Sequence, residues 1–246
     1  MLVGTFVILF PLAVGMPQSA LADTGPDQAI AARCPAAMTW HKAHAQEHKP
    51  PAVAKPTDPA LRKQLLAMVK VDQGVRQAWA KAGVQDPHNP VIPRMLAVDA
   101  ANLKELKPII AAHGFPTPAM VGNDGVEAAF LLVQHADSDP AFQASVLPKL
   151  AALQKKGMVS GQDFALLTDR VLRAQGKPQR YGTQFAPDHD RPGTFAAEPM
   201  VDPTHIDTRR ASVGLMPLAD YACVLSVVYK TPVSAKPSAG ATGMSH

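Results

Sequence analysis

The sequence is poor in the residues that several protein classes require. Its 246 residues include only two cysteines, and aromatic residues make up 5%. Two cysteines are too few for a disulfide scaffold or a four-cysteine zinc site. The net charge of +4 is small, and the basic pairs Lys155-Lys156 and Arg209-Arg210 are isolated. The chain therefore lacks the basic stripe that a nucleic-acid partner would require.

Familiar catalytic and cofactor motifs are also absent from the sequence. It has no G-x-S-x-G nucleophile elbow, no glycine-rich phosphate loop, no dinucleotide fingerprint and no H-E-x-x-H metal motif. The sequence therefore predicts no cofactor and no resident metal. Hydrophobic residues make up 47% of the chain and charged residues 18%, so it is able to bury a packed core.

The first segment has the features of an export signal. Residues 1–22 contain no charged side chain, and the apolar run from Val3 to Met16 is interrupted by Pro11. The run is too short for a comfortable transmembrane helix, which needs about 20 apolar residues. Small residues precede Asp23 at the spacing that signal peptidase reads. We expect a signal peptide over residues 1–22, a periplasmic or secreted protein and no membrane span after cleavage, with a retained anchor as the alternative.

Export makes the two cysteines interpretable. Cys34 lies near the start of the mature chain and Cys223 near its end. In an oxidising compartment these residues are expected to form a disulfide, and two unpaired thiols are the alternative.

Composition divides the rest of the chain into three parts. Residues 23–58 are predicted to be a mature leader and a proline-rich linker, residues 59–230 a helical domain, and residues 231–246 a disordered tail. His41, His44 and His48 in the leader share one face of a helix, a spacing suited to a transition metal. We interpret them as a solvated histidine-rich segment and leave metal binding open.

Apolar spacing and helix-capping residues predict a mainly α fold. Five helices are expected first, over residues 59–81, 93–113, 123–136, 139–157 and 160–175. Alternation over residues 179–185 and 194–197 predicts a β-hairpin after the fifth helix, and two further helices are expected over 203–214 and 217–229. The prediction is a single helical domain with one inserted β-hairpin.

Several polar residues interrupt the apolar faces of these helices. Asp72 falls on the apolar stripe of the first helix, where a carboxylate is costly unless paired, and Arg76 at i+4 is its expected partner. Gln134 and His135 end a helix with no polar face. Asp169 and Arg170 point about 100° apart, so each needs a partner elsewhere.

Three polar motifs of the sequence resemble those of a known protein family. They are the runs LLVQHAD at residues 131–137, LTDRVL at 167–172 and GKPQRYGTQ at 176–184. Together they resemble an uncharacterised family of bacterial proteins known only as a domain of unknown function. The resemblance extends from about Leu61 to Tyr221 and implies no activity, substrate or cofactor.

We expect the buried polar residues to converge on one location. Three interpretations remain open: a structural hydrogen-bond network, a binding site for a small polar or anionic ligand, and a hydrolase. In the hydrolase, His135 would be the general base, oriented by Asp169, and a metal variant would add His113. The expected ligand-binding residues are Asp72, Arg76, Gln134, Arg170, Gln179, Tyr181, Gln184 and Arg210.

Overall fold

The computed structural model describes residues 26–44, 55–83, 86 and 88–238. These residues form nine α-helices and three short strands, which confirms the mainly α class. The predicted signal peptide and His48 lie outside the described residues. Within the part of the chain that is described, no helix is long and apolar enough to cross a membrane. The helices are α1 (Pro26–Arg33), α2 (Pro35–His44), α3 (Pro59–Ala82), α4 (Ile92–His113), α5 (Pro118–Gln134), α6 (Pro140–Gln154), α7 (Gly161–Ala174), α8 (Ile206–Ala211) and α9 (Leu218–Val228).

The chain divides into two compact units. The central unit comprises residues 50–175 and contains α3 to α7. The terminal unit comprises residues 1–49 and 176–246 and contains the remaining helices and all three described strands. The prediction of one domain over residues 59–230 does not include this division, because it depends on contacts between the two ends of the sequence.

Three helices of the central unit, α3, α6 and α7, begin at the predicted capping residues. Asp58 accepts a hydrogen bond from the Leu61 backbone N–H at 2.9 Å, and Asp139 caps α6 in the same way. The Ser160 hydroxyl accepts from the backbone N–H of Asp163 at 3.0 Å. These side chains satisfy backbone donors that have no partner within the helix.

Helix α5 is the central element of its unit and packs against α3, α4, α6 and α7. Its residues are almost all buried from Val126 to Gln134, as its lack of a polar face predicts. The helix begins at Pro118, five residues before the predicted start at residue 123. The backbone breaks at Gly122, whose φ of 74° and ψ of 170° suit glycine, and the predicted helix corresponds to the segment after this break.

Residues 26–44 of the segment predicted as a leader are folded in the terminal unit. Residues 26–44 form α1 and α2, which both pack against α9. Cys34 and Cys223 form the predicted disulfide, with their Cα atoms 5.9 Å apart. Ile30 and Ala37 pack with Val227 in a small apolar cluster beside it. This contact with the far end of the chain makes residues 26–44 part of a folded unit.

A three-stranded sheet completes the terminal unit. The predicted hairpin is present as β1 (Phe185–Pro187) and β2 (Phe195–Ala197), which are antiparallel. The predicted first strand over residues 179–185 is wrong, because the strand begins only at Phe185 and the preceding loop is held by side-chain hydrogen bonds. A third strand, β3 (Val233–Pro237), pairs parallel with β2. The tail prediction from residue 231 is therefore wrong for these five residues, and residues 239–246 lie outside the described part.

Candidate functional site

The central unit contains a buried charge cluster built around Asp72 of α3. The Asp72 side chain is fully buried. Its Oδ1 atom accepts a hydrogen bond from Arg76 Nη1 at 2.7 Å, which confirms the predicted pairing. His135 Nδ1 lies 2.9 and 3.0 Å from the two carboxylate oxygens, and Gln73 donates to Oδ2 at 2.7 Å. Three donors thus converge on one buried carboxylate.

Arg76 connects this carboxylate to a second one on α4. Its Nη2 atom donates to both oxygens of Asp99, at 2.9 and 3.0 Å. Asp99 is not among the site residues predicted from the sequence. A signal was present, because Asp99 lies three residues before the buried Asn102 and seven before Leu106, on one face of α4. Arg76 therefore lies between two carboxylates and forms an ion pair with each.

His135 follows the last residue of α5 and is 3% exposed. Burial lowers the pKa of His135 to about 4, because the hydrogen bond that its ring donates to Asp72 does not compensate for the lost solvation of the charged ring. The imidazole is therefore neutral at pH 7. Because Asp72 accepts at Nδ1, the ring proton is assigned to that nitrogen and Nε2 carries a lone pair.

The two carboxylates on Arg76 have different proton affinities. Burial would raise the pKa of Asp72, but the hydrogen bond from His135 and the charge of Arg76 hold it below its ordinary value. Burial raises the pKa of Asp99 to about 6, since the charge of Arg76 offsets the loss of solvation only in part. Asp72 therefore stays ionised, and of the two carboxylates on Arg76 it is Asp99 that is protonated first when the pH falls.

A second ion pair joins α7 to the segment after α5. Arg170 is 2% exposed, and its Nη1 atom donates to both oxygens of Asp137 at 2.7 and 2.9 Å. Gln143 of α6 also donates to Asp137 and to the carbonyls of Val133 and Gln134. Asp137 belongs to the motif at residues 131–137 but was not predicted as a site residue, and neither was Gln143. A glutamine in an apolar helix was the available signal.

Several buried atoms beside these ion pairs have no hydrogen-bond partner among the residues that the structure describes. They are His135 Nε2, Arg170 Nε and Nη2, and both polar atoms of the Gln134 side chain. Asn102 Nδ2 on α4 is in the same situation. An unpartnered buried polar group is costly, so such atoms usually contact a bound molecule or an ordered water.

The predicted site residues of the central unit fall in different places. Asp72, Arg76 and His135 are in direct contact, and Arg170 belongs to the neighbouring ion pair. Asp169 is fully buried on α7, but the carboxylate on His135 Nδ1 is that of Asp72. The orienting role of Asp169 stays a prediction. His113 is exposed at the end of α4.

Gln179 and Gln184 belong to the terminal unit, where they organise the loop before β1. Gln179 Nε2 donates to the carbonyls of Gln184 and Glu198 at 3.0 and 2.8 Å. Its Oε1 atom accepts from the Gln184 backbone N–H at 2.8 Å. Gln184 Nε2 donates to the hydroxyl of Thr183. These contacts give both glutamines a structural role, and ligand binding by them stays a prediction.

Arg210 of α8 holds the same loop from a second direction. Its side chain is 1% exposed, with Nε donating to the Met216 carbonyl at 2.6 Å and Nη1 to the Tyr181 carbonyl at 2.7 Å. The guanidinium also lies 5.0 Å from the centre of the Tyr221 ring. Gly182 adopts a φ of 67°, and a Cβ there would meet the methyl groups of Leu218 at 3.1 and 3.2 Å. Arg210 therefore stabilises a tight loop that requires glycine.

A metal centre finds no support in the part of the chain that is described. Within it, no group of three histidine, cysteine or acidic side chains has the arrangement of a metal site. His41 and His44 lie on α2, where His44 Nδ1 is 2.8 Å from the Trp40 carbonyl oxygen. His48, the third member of the predicted spacing, lies outside the described residues.

The fold and the site together describe a mainly α protein in which a five-helix unit contains a buried Asp–Arg–His network. A family model described as a family of unknown function, DUF6624, matches residues 59–234. This match covers more than half of the chain, so the chain belongs to this family. No curated protein and no solved structure matches the chain.

Proposed function

We propose that the central unit binds a small polar molecule at its buried charge cluster. The observation that carries this proposal is the group of unpartnered buried atoms on Gln134, His135 and Arg170. Buried polar groups are normally hydrogen-bonded, and leaving one unpaired costs about 1–3 kcal/mol. Several unpaired buried atoms in one helical unit lower the stability of the folded state unless a ligand or a water molecule forms hydrogen bonds with them.

The unpartnered atoms offer complementary chemistry. Arg170 supplies N–H donors on two atoms, Nε and Nη2, neutral His135 supplies an acceptor at Nε2, and the Gln134 amide supplies one group of each kind. A molecule with both hydrogen-bond donors and acceptors would satisfy this set. An apolar molecule would leave every one of these groups unpaired, so the proposal excludes hydrophobic ligands.

The surrounding ion pairs hold the binding groups in place. Asp72 fixes the orientation and tautomer of His135, and Asp137 anchors Arg170 through Nη1 only. Groups that are fixed before binding lose little conformational entropy when the ligand arrives. Asp72, Arg76 and Asp137 therefore act as positioning residues for the atoms that would contact the ligand.

Thermal-shift screening followed by titration calorimetry tests the proposal. The test set contains small carboxylates, inorganic phosphate, glycine, urea and glucose. We expect at least one compound to bind, and Arg170→Lys to weaken that binding at least tenfold because lysine lacks the planar donor pair. Arg62→Lys is the matched control, since Arg62 pairs with Asp124 on the exposed surface of the same unit. Absence of any Arg170-dependent binding would refute the proposal.

A second candidate is a hydrolase that uses His135 as general base. The Asp72–His135 contact and the free lone pair on Nε2 favour it, because this is the arrangement of an oriented histidine base. Nε2 would take a proton from water as the oxygen attacks a carbonyl carbon, and would return it to the leaving group. Hydrolysis of p-nitrophenyl acetate that disappears in His135→Asn and declines as the pH falls toward 4 would support this candidate. Equal rates in the two proteins would rule it out.

We also propose that the protein is exported. The disulfide between Cys34 and Cys223 supports this proposal, because disulfides persist in oxidising compartments. Fractionation of expressing cells should recover the oxidised protein outside the cytoplasm with an N-terminus near Asp23. Recovery from the cytoplasm with an intact Met1 would contradict it.

A further inference from the structure

A cavity lies in the terminal unit, where the end of α1 meets the turn between α9 and β3. Its volume is about 390 Å³, within the range of about 300–1,000 Å³ that is typical of small-molecule sites. The residues that line it come from both ends of the chain: Arg33, Ser226, Lys230, Thr231, Pro232 and Val233. The disulfide at Cys34 joins the end of α1 to α9 and so fixes the backbone of Arg33 beside the turn.

The charged residues that line this cavity are all positive in the part of the chain that is described. Arg33 and Lys230 are exposed, and neither forms an ion pair with a described residue. Arg76 and Arg170 differ from them, because each of these is bound to aspartate. Two cations without a nearby described carboxylate favour an anion, and a dianion would balance their charge.

The remaining polar groups of the cavity already have hydrogen-bond partners. The Ser226 hydroxyl donates to the Ala222 carbonyl and accepts from the Val233 backbone N–H, both at 2.9 Å. The Thr231 hydroxyl donates to the Tyr229 carbonyl at 3.2 Å. Among the lining side chains that the structure describes, only the guanidinium and the ammonium remain as donors. A neutral ligand would therefore find little to bind here, and an anion would find two charged donors.

Lys230 has a backbone conformation that is unusual for lysine. It follows the end of α9 with a φ of 52°, the left-handed conformation that glycine usually provides after a helix. The backbone N–H groups of Lys230 and Thr231 donate to the carbonyls of Val227 and Ser226, both at 3.3 Å. These helix carbonyls are thus satisfied without the lysine side chain. Because a side chain in this conformation destabilises the turn relative to glycine, its presence indicates a role for the charge other than helix capping.

We propose that this cavity binds a phosphate monoester, either a soluble molecule or a lipid headgroup. The planar donors of Arg33 would contact two phosphate oxygens, and the Lys230 ammonium would act as a point charge. A phosphate monoester carries about −1.5 to −2 charges at pH 7, which balances the two cations. Pro232 and Val233 supply an apolar wall for the organic part. This site is separate from the charge cluster, and the proposal does not rest on the proposed function.

Calorimetric titration of the full-length, disulfide-bonded protein with phenyl phosphate tests the proposal. Benzenesulfonate has the same ring with a single negative charge, and benzyl alcohol is uncharged. We expect phenyl phosphate to bind about 3–10 times more tightly than benzenesulfonate, with weaker binding at high salt because exposed charges are screened. Benzyl alcohol should not bind measurably. Equal affinities for the three probes would overturn the proposal.

The variant Lys230→Gly separates binding from stability. Glycine suits the backbone at this position, so the variant should unfold at the same or a higher temperature than the wild type. It should nevertheless bind phenyl phosphate about ten times more weakly, and so should Arg33→Gln. Lys42→Gln is the matched control, because Lys42 is exposed on α2 of the same unit and does not line the cavity. Binding by either cavity variant that equals that of the control would overturn the proposal.

Vesicles distinguish the two sources of the phosphate group. Phosphatidic acid presents the same monoester on a membrane, and pure phosphatidylcholine vesicles are the control. Lys230-dependent cosedimentation with phosphatidic acid, without binding of phenyl phosphate, would assign the site to a lipid headgroup. Lys230-dependent binding of phenyl phosphate would assign it to a soluble molecule. Binding of neither probe overturns the proposal. Arg170→Lys should leave phenyl phosphate binding unchanged, so this proposal and the proposed function can fail separately.

Discussion

Replacing Gln134 by methionine should stabilise the central unit, whereas the same replacement at Gln143 should destabilise it. Both glutamines are almost completely buried in the same unit, with exposures of 0% and 1%. The Gln134 amide has no partner in the described structure, and the Gln143 amide donates to two carbonyls and to Asp137. Methionine has a similar length and shape and carries no hydrogen-bonding amide.

The expected magnitudes follow from these contacts. Burying an unpaired amide costs about 1–3 kcal/mol, so Gln134→Met should raise the free energy of unfolding by about that amount. Gln143→Met removes donors from buried acceptors and should lower it by about 1–3 kcal/mol. The two variants should therefore differ by about 2–6 kcal/mol.

The chain itself supplies the means to measure this difference. It has two tryptophans, and Trp79 is buried in the central unit whereas Trp40 belongs to the terminal unit. In a Trp40→Phe background, fluorescence during urea unfolding reports on the central unit alone. Destabilisation by Gln134→Met in buffer without ligand would show that its amide is already satisfied, and the reasoning behind the binding site would then be refuted.

Three further predictions concern the ion pairs and the disulfide. Asp72→Asn should destabilise the central unit by about 3–5 kcal/mol, because it breaks a fully buried ion pair. Asp124→Asn at the exposed ion pair should cost about 1 kcal/mol or less. Equal losses of unfolding free energy in urea would contradict this prediction. Asp99 has a pKa of about 6 when folded, above its value of about 4 in an unfolded chain, so the folded state binds its proton more strongly. Lowering the pH from 7 to 4 should therefore stabilise the wild type relative to Asp99→Asn, and a difference in unfolding free energy that does not change with pH would contradict it. The double variant Cys34→Ser with Cys223→Ser opens a loop with a sequence separation of 189 and should lower stability by about 5 kcal/mol. The loss should appear as faster proteolysis of the terminal unit. Unchanged proteolysis would show that packing alone holds α1 and α2.

The sequence predicted part of the candidate site well. Asp72 on an apolar stripe requires a partner, and Arg76 one turn later is the nearest available cation, so local geometry was sufficient. Asp99 could not be assigned in the same way, because its partnership with Arg76 depends on how α4 packs against α3. The choice between Asp72 and Asp169 as the carboxylate on His135 likewise depends on packing between helices.

In the terminal unit, the structure of the sheet and of the polar loop likewise depends on contacts that local sequence patterns do not predict. The alternation over residues 179–185 predicted a strand, but the Gln179 side chain replaces strand pairing with hydrogen bonds to the backbone of its own loop. The residues of β3 gave no strand signal, since the tail is rich in small residues. Pairing with β2 gives these residues their structure, and that partner lies 38 positions earlier at Phe195↔Val233.

The sequence by itself determined the properties that depend on neighbours along the chain. Helix starts at Asp58, Asp139 and Ser160 follow from local capping, and the burial of α5 follows from its lack of a polar face. The disulfide prediction followed from two cysteines and the expectation of export. Tertiary structure alone decided that the ends of the chain form one unit, and which carboxylates and cations share a buried cluster. Those outcomes depend on contacts between residues far apart in sequence, where a small difference in helix packing changes which charges meet.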